Sequence, residues 1–236
     1  FLAALTKITG SFESAIEEAS KILKLEGKVI PSTCDHVNIC AELENGVLLT
    51  EENEIIDRKN SLVHERSPIK RVFLNPPAQS NPHAITAINE ADVIIICPGS
   101  LYTSIISNLL VKGIPEAIKK SKAKLVYIVN IMTQISQTPN FKTSDHINQI
   151  IKYLSREPDF IIINTEKPDE KLIESYKHEN AFLVENDIKT LKNFKSKIIL
   201  KDLLDNVSEK KLLWEKKDLL RHNPHKIAEL VMSLIE

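Results

Sequence analysis

Three short runs constrain this chain more than anything else in it. Val93-Ile94-Ile95-Ile96-Cys97, Leu125-Val126-Tyr127-Ile128-Val129 and Phe160-Ile161-Ile162-Ile163 are continuously apolar and rich in β-branched residues. A strand with one wet face alternates polar and apolar residues; a run without alternation reads as a strand covered on both faces. Helix-length patterns near 103–111, 115–121 and 143–155 separate the runs. Alternation of β and α in this way predicts an α/β fold with a mainly parallel sheet and right-handed crossovers. With 236 residues and 42% hydrophobic content there is material for one sizeable core, and residues 1–236 are read as a single domain.

The first third has another character. Phe1, Leu2, Leu5 and Ile8 recur at helical spacing and residue 1 is not Met, so the chain is expected to open inside a helix of a larger protein. Residues 11–26 predict a second helix, capped by Ser11 and stopped by Gly27. Val37, Ile39, Ala41 and Leu43 alternate with polar neighbours, and Asn45-Gly46 separates them from Val47-Leu48-Leu49. An Asn-Gly pair between such runs predicts a small antiparallel hairpin region. Residues 51–67 read as a loop or short helix, Ile69–Leu74 as a strand, and 82–90 as a helix with Asn81 as cap and Pro82 at its first position. Residues 201–221 look helical, and a last helix is expected from Pro224 onward.

Composition excludes several functions. The 31 Lys and Arg balance 32 Asp and Glu, which gives no basic footprint for nucleic acid. No apolar run approaches the roughly 18 residues of a membrane span, and no signal peptide is visible. Three cysteines in so long a chain argue for a reducing compartment rather than a disulfide framework. Five scattered glycines leave no glycine-rich phosphate loop.

In open α/β sheets, ligands bind beyond the carboxyl ends of the strands. Two such ends carry hydrogen-bonding residues: Pro98, Gly99, Ser100, Tyr102, Thr103 and Ser104 after the first run, and Asn130, Thr133 and Gln134 after the second. The first reads either as a phosphate seat, with free N–H groups and hydroxyls at a helix start, or as an ordinary capped turn. The second offers carboxamides suited to a base or sugar, or is simply a polar loop. The two are expected to share one cleft. Asn164-Thr165-Glu166 after the third run is a weaker candidate, being made of common turn residues. Asp145-His146 has the makings of an acid/base pair but sits where a helix cap belongs, and the cap is preferred. Cys34, His36 and Cys40 would share a strand face, yet match no zinc spacing, so no metal site is assigned. Arg221 in Arg221-His222-Asn223-Pro224 is either a diphosphate clamp or a surface residue before a helix capped at Asn223.

Taken together these segments resemble the bacterial gluconeogenesis factor family, in the CofD-like superfamily of 2-phospho-L-lactate transferase. The resemblance is carried by Pro98 through Ile106, Asn108 through Ile114, Asn130 through Gln134 with Thr138, Ser144-Asp145-His146, Gly10-Ser11-Phe12 with Ala15, Ile16 and Ser20, Val29-Ile30-Pro31, and Arg221 through Pro224 with Lys226 and Ala228. It implies a Rossmann-like three-layer fold, a cytoplasmic location, binding of a UDP-sugar, and a role in cell shape and cell-wall synthesis during gluconeogenic growth. It also places Tyr176 and Arg221 in the nucleotide-sugar site. The alternative it carries is a transferase with a nucleotide diphosphate donor, for which Mg2+ would be the expected metal. The family's G-G-G-T-G and D-D-G-G-S-S-G segments do not occur here. Catalysis is therefore left unassigned, and the expected domain lacks its N-terminal glycine-rich strand and loop. Association of copies into a homo-oligomer is left open.

Overall fold

The computed structural model describes residues 1–58, 67–190, 194–205 and 220–235. α1 (Leu2–Thr9) ends at Gly10, whose φ of 83° lets its N–H turn back to Thr6 O. α2 (Phe12–Ile22) starts as expected, Ser11 accepting from the Ser14 N–H at 3.1 Å. It stops short of Gly27. Lys24 takes the left-handed conformation, its N–H donates to Lys21 O, and the Leu25 N–H reaches Ser20 O at 3.0 Å. Those two bonds answer the last carbonyls, so the helix closes without a glycine.

β1 (Asn38–Leu43) and β2 (Leu48–Leu49) form the expected hairpin, with Ala41 opposite Leu49 and Gly46 at a φ of 84°. α3 (Glu52–Asp57) follows, and β3 (Ile69–Asn75) pairs antiparallel with the other side of β1. β1 begins only at Asn38. Cys34 and His36 therefore lie exposed in the loop before it, while Cys40 is buried within it, so the three share no strand face.

α4 (Pro82–Glu90) is capped by Asn81 and delivers the chain to β4 (Val93–Ile96). A π-helical turn (Leu101–Ile106), α5 (Ser107–Leu109) and α6 (Ile114–Lys120) lead to β5 (Lys124–Ile128). α7 (Thr143–Leu154), β6 (Phe160–Asn164), α8 (Glu170–Lys177), β7 (Lys197–Lys201) and α9 (Pro224–Met232) complete the order. Strands β4-β5-β6-β7 lie side by side in that order and are all parallel.

The lack of alternation in β5 and β6 has its reason in two separate cores. Leu125, Tyr127, Ile161 and Ile163 meet Ile147, Ile150 and Leu154 of α7, together with Ile39, Leu43 and Val72 of the antiparallel sheet. Val126, Ile128 and Ile162 face the other way, toward Leu203 and Val231. The sheet is thus sandwiched between α7 and α9, which makes the three layers.

Two expectations change. Among the described residues β4 pairs only with β5 and is an edge strand, and it is not covered on both faces, since Ile95 is 40% exposed. Residues 201–205 are not helical. Lys201 closes β7, and Leu204 pairs antiparallel with His222, so backbone bonds run across to 221–223 instead of along a helix. Residues 206–219 of that expected helix lie outside the described residues. β7 itself gave little signal, having only three apolar residues between two lysines.

Candidate functional site

Because β4 and β5 are neighbours, the loops leaving their carboxyl ends lie together. Three carboxamides fasten one loop to the other. Asn130 Nδ2 donates to Gly99 O at 2.7 Å, and Gln134 Nε2 donates to Ser100 Oγ at 2.9 Å. Gln137, only 3% exposed, accepts from the Tyr102 and Thr103 N–H groups at 3.0 and 3.3 Å and donates to Thr103 Oγ1 at 3.2 Å. Buried Arg58 ties the second of these loops to the segment before β3, donating to Ser136 O at 3.2 Å and to Ser67 O.

A cleft of about 1210 Å³ opens between these loops and the far side of the sheet, above the 300–1,000 Å³ usual for ligand pockets. Pro98, Gly99, Ser100, Asn130, Thr133 and Gln134 line one wall. Tyr176 and Arg221 line the other, with Leu220 and His222. The sequence-predicted loops therefore share a cleft, and the two distant residues join them there. Arg221 is the only lysine or arginine among the described lining residues, and Glu179 the only acidic one.

Not every predicted residue reaches it. Tyr102 is 1% exposed and packed in the core beneath the π-helical turn. Thr103 lines a separate recess of about 220 Å³ with Ser107 and Asn108. Ser104 is exposed and lines neither. The helix-start amides proposed for phosphate are partly consumed as well, since Gln137 takes two of them. Thr133 uses its groups internally: its N–H donates to Phe182 O at 2.7 Å and its hydroxyl accepts from the Phe182 N–H at 3.0 Å. That pairing, extended by Val184 N–H to Ile131 O, ties the first wall to the chain that follows α8.

The remaining candidates are structural. Asp145 accepts from the Lys142 N–H at 2.8 Å, as a helix-start carboxylate does, and His146 is fully buried with its imidazole pushed down to about 4 by desolvation. Asn164 Oδ1 accepts from the Leu203 N–H at 3.0 Å and its amide caps the turn at Glu166 O. Asn223 caps α9 through the His225 and Lys226 N–H groups.

Sequence reasoning missed Gln137, Arg58 and His222. The partners of Gln137 on the first loop and of Arg58 at Ser136 lie far along the chain, and no local spacing announces any of the three. His222 matters because burial pushes it down to about 4, so it is neutral at pH 7, and its Nε2 has no partner. Asn130 Oδ1 and Gln134 Oε1 are likewise buried without a donor.

Comparison with known proteins bears on this arrangement. A sequence model of the family described as 2-phospho-L-lactate transferase CofD matches residues 1–204. The gluconeogenesis factor of Bacillus subtilis is 38% identical over 237 residues, covering all of this chain and 70% of the relative. A Thermotoga maritima relative is 42% identical over 192 residues, which are 81% of this chain and 59% of that protein, so the chain spans well under two thirds of it. A crystal structure of a UPF0052 family member from Bacillus halodurans superposes with a TM-score of 0.85 at 37% identity, over 98% of this chain and 70% of that one. By sequence and by fold, then, the chain belongs to the gluconeogenesis factor family of CofD-like proteins.

Proposed function

We propose that the cleft binds a nucleotide sugar of the UDP type. The observation that carries this reading is the make-up of the cleft: among the described lining residues a single Arg shares it with carboxamides and hydroxyls. Arg221 is suited to the diphosphate, since a guanidinium grips two oxygens in parallel. Ser100, Asn130, Thr133 and Gln134 bring polar side chains to the same cleft, the residue types that meet sugar hydroxyls or a base. The names of the relatives, gluconeogenesis factor, support a role in gluconeogenic growth; cell shape, cell-wall synthesis and a cytoplasmic location come into this reading through the sequence resemblance alone. Among the described residues no helix is long and apolar enough to cross a membrane.

The family description, 2-phospho-L-lactate transferase, favours one other reading, a transferase, and the sequence resemblance gives it a guanosine diphosphate donor. For such an enzyme Mg2+ would be the expected metal, of the kind held by one or two carboxylates together with substrate phosphates, and Glu179 is the acidic residue among the described lining residues.

Calorimetric titration separates the two. Saturable binding of UDP-N-acetylglucosamine with no response to GDP is the expected result. GDP binding in its place transfers the cleft to the transferase reading, and silence toward both overturns each.

A further inference from the structure

Arg221 is an exposed, long side chain, so its usefulness depends on how firmly its backbone is held. One side of that backbone is well fixed. Arg221 O accepts from the Asp205 N–H at 3.0 Å, and the Asn223 N–H donates to Leu203 O at 2.7 Å. Immediately before Arg221 the holding group is different. The Leu220 N–H donates to Tyr176 Oη at 3.0 Å, a side chain 44 residues away on α8. This is a side-chain tie across the cleft wall, made to the peptide next to the arginine.

Resting on the nucleotide-sugar reading above, we propose that Tyr176 serves as a positioning residue for Arg221, its phenol oxygen fixing the Leu220 peptide and so the direction in which the guanidinium enters the cleft. Tyr176 lines the cleft, and its phenol oxygen accepts from the backbone of the neighbouring segment. α8 is itself anchored to the opposite wall through the Thr133–Phe182 pairing, so the tie passes the position of one wall to the other.

Two substitutions test this in the 236-residue chain. Tyr176→Phe removes the oxygen and keeps the ring, so folding is preserved. It should weaken UDP-N-acetylglucosamine binding about 3- to 10-fold, the share of one hydrogen bond. Arg221→Ala should weaken it more. The double variant decides: if Tyr176 acts through Arg221, it binds no worse than Arg221→Ala alone. Losses that multiply overturn the proposal, because they mean the hydroxyl meets the ligand independently. A ligand-free reading runs beside this. Hydrogen exchange at the Leu220 amide should quicken about 10-fold in Tyr176→Phe, and an unchanged rate overturns the tie itself. If the wild-type chain binds no UDP-N-acetylglucosamine, the nucleotide-sugar reading fails, and the Leu220 amide alone decides whether Tyr176 holds this segment.

Discussion

The two walls of the cleft are built on different principles. The first rises from neighbouring parallel strands, whose register already places the Gly99 and Asn130 loops side by side. Buried carboxamides then lock the loops together. The second wall is assembled from pieces distant in sequence: α8, the 203–205 segment and the residues leading into α9. Backbone and side-chain bonds between these separate pieces hold it, and its arginine is exposed. The first wall is part of the folding core. The second can be altered without dismantling the protein, which suits a surface that has to receive a ligand.

That difference can be broken most severely at Gln137. Replacing it with Leu orphans two buried N–H groups, and urea unfolding should report a loss of about 2–5 kcal/mol. A loss below 1 kcal/mol would show that the first wall does not depend on this amide. Acid should act next, on both walls: burial pushes His146, edge-on to Phe141 at 5.6 Å, and His222 on the second wall down to about 4 from 6.5. The unfolded chain therefore takes up these protons first. Stability is complete above pH 6.5 and is lost as the pH falls toward 4, by about 3 kcal/mol for each imidazole. Comparing urea midpoints at pH 7 and pH 5 should show His146→Leu losing less than the wild type.

On the second wall the effects should move from stability to binding. Arg221→Ala should cost about 1.5–3 kcal/mol in nucleotide-sugar affinity, measured by calorimetry, with an unchanged melting temperature. Equal affinities would remove Arg221 from the site. The smallest effect is expected at Lys226, which bonds Asp202 at 2.8 Å and Leu204 O at 3.2 Å between partly exposed side chains. Lys226→Met should destabilise by only about 0–1 kcal/mol. A larger loss would mean the second wall is as tightly bound as the first.

The same division governs what could be read from residues alone. β5 and β6 were legible because burial on two faces leaves an uninterrupted apolar run, and the hairpin because Asn45-Gly46 carries its own turn. The first wall followed, since strand ends predict adjacent loops. β7 was silent: an edge strand of Lys-Ile-Ile-Leu-Lys has too little apolar surface to stand out. β4 was legible as a strand but not as an edge, because a run of Val and Ile does not say how many neighbours it has. Tyr102 and Thr103 sat in the right segment, yet the π-helical turn directs them into the core and a side recess. Gln137 could not be seen at all, as its partners are 34 and 35 residues away.

The parallel sheet has two ends, and they meet solvent on unequal terms. β7 is flanked by Lys197 and Lys201, charges of the kind that discourage another extended chain from adding itself by backbone pairing. β4, from Val93 to Ile96, has neither charge nor proline and pairs on one side only among the described residues. Within these 236 residues its outer rim carries no such guard. A lysine in place of Ile95 would guard it, but Ile95 also lines the cleft, so solubility and ligand access compete for one position.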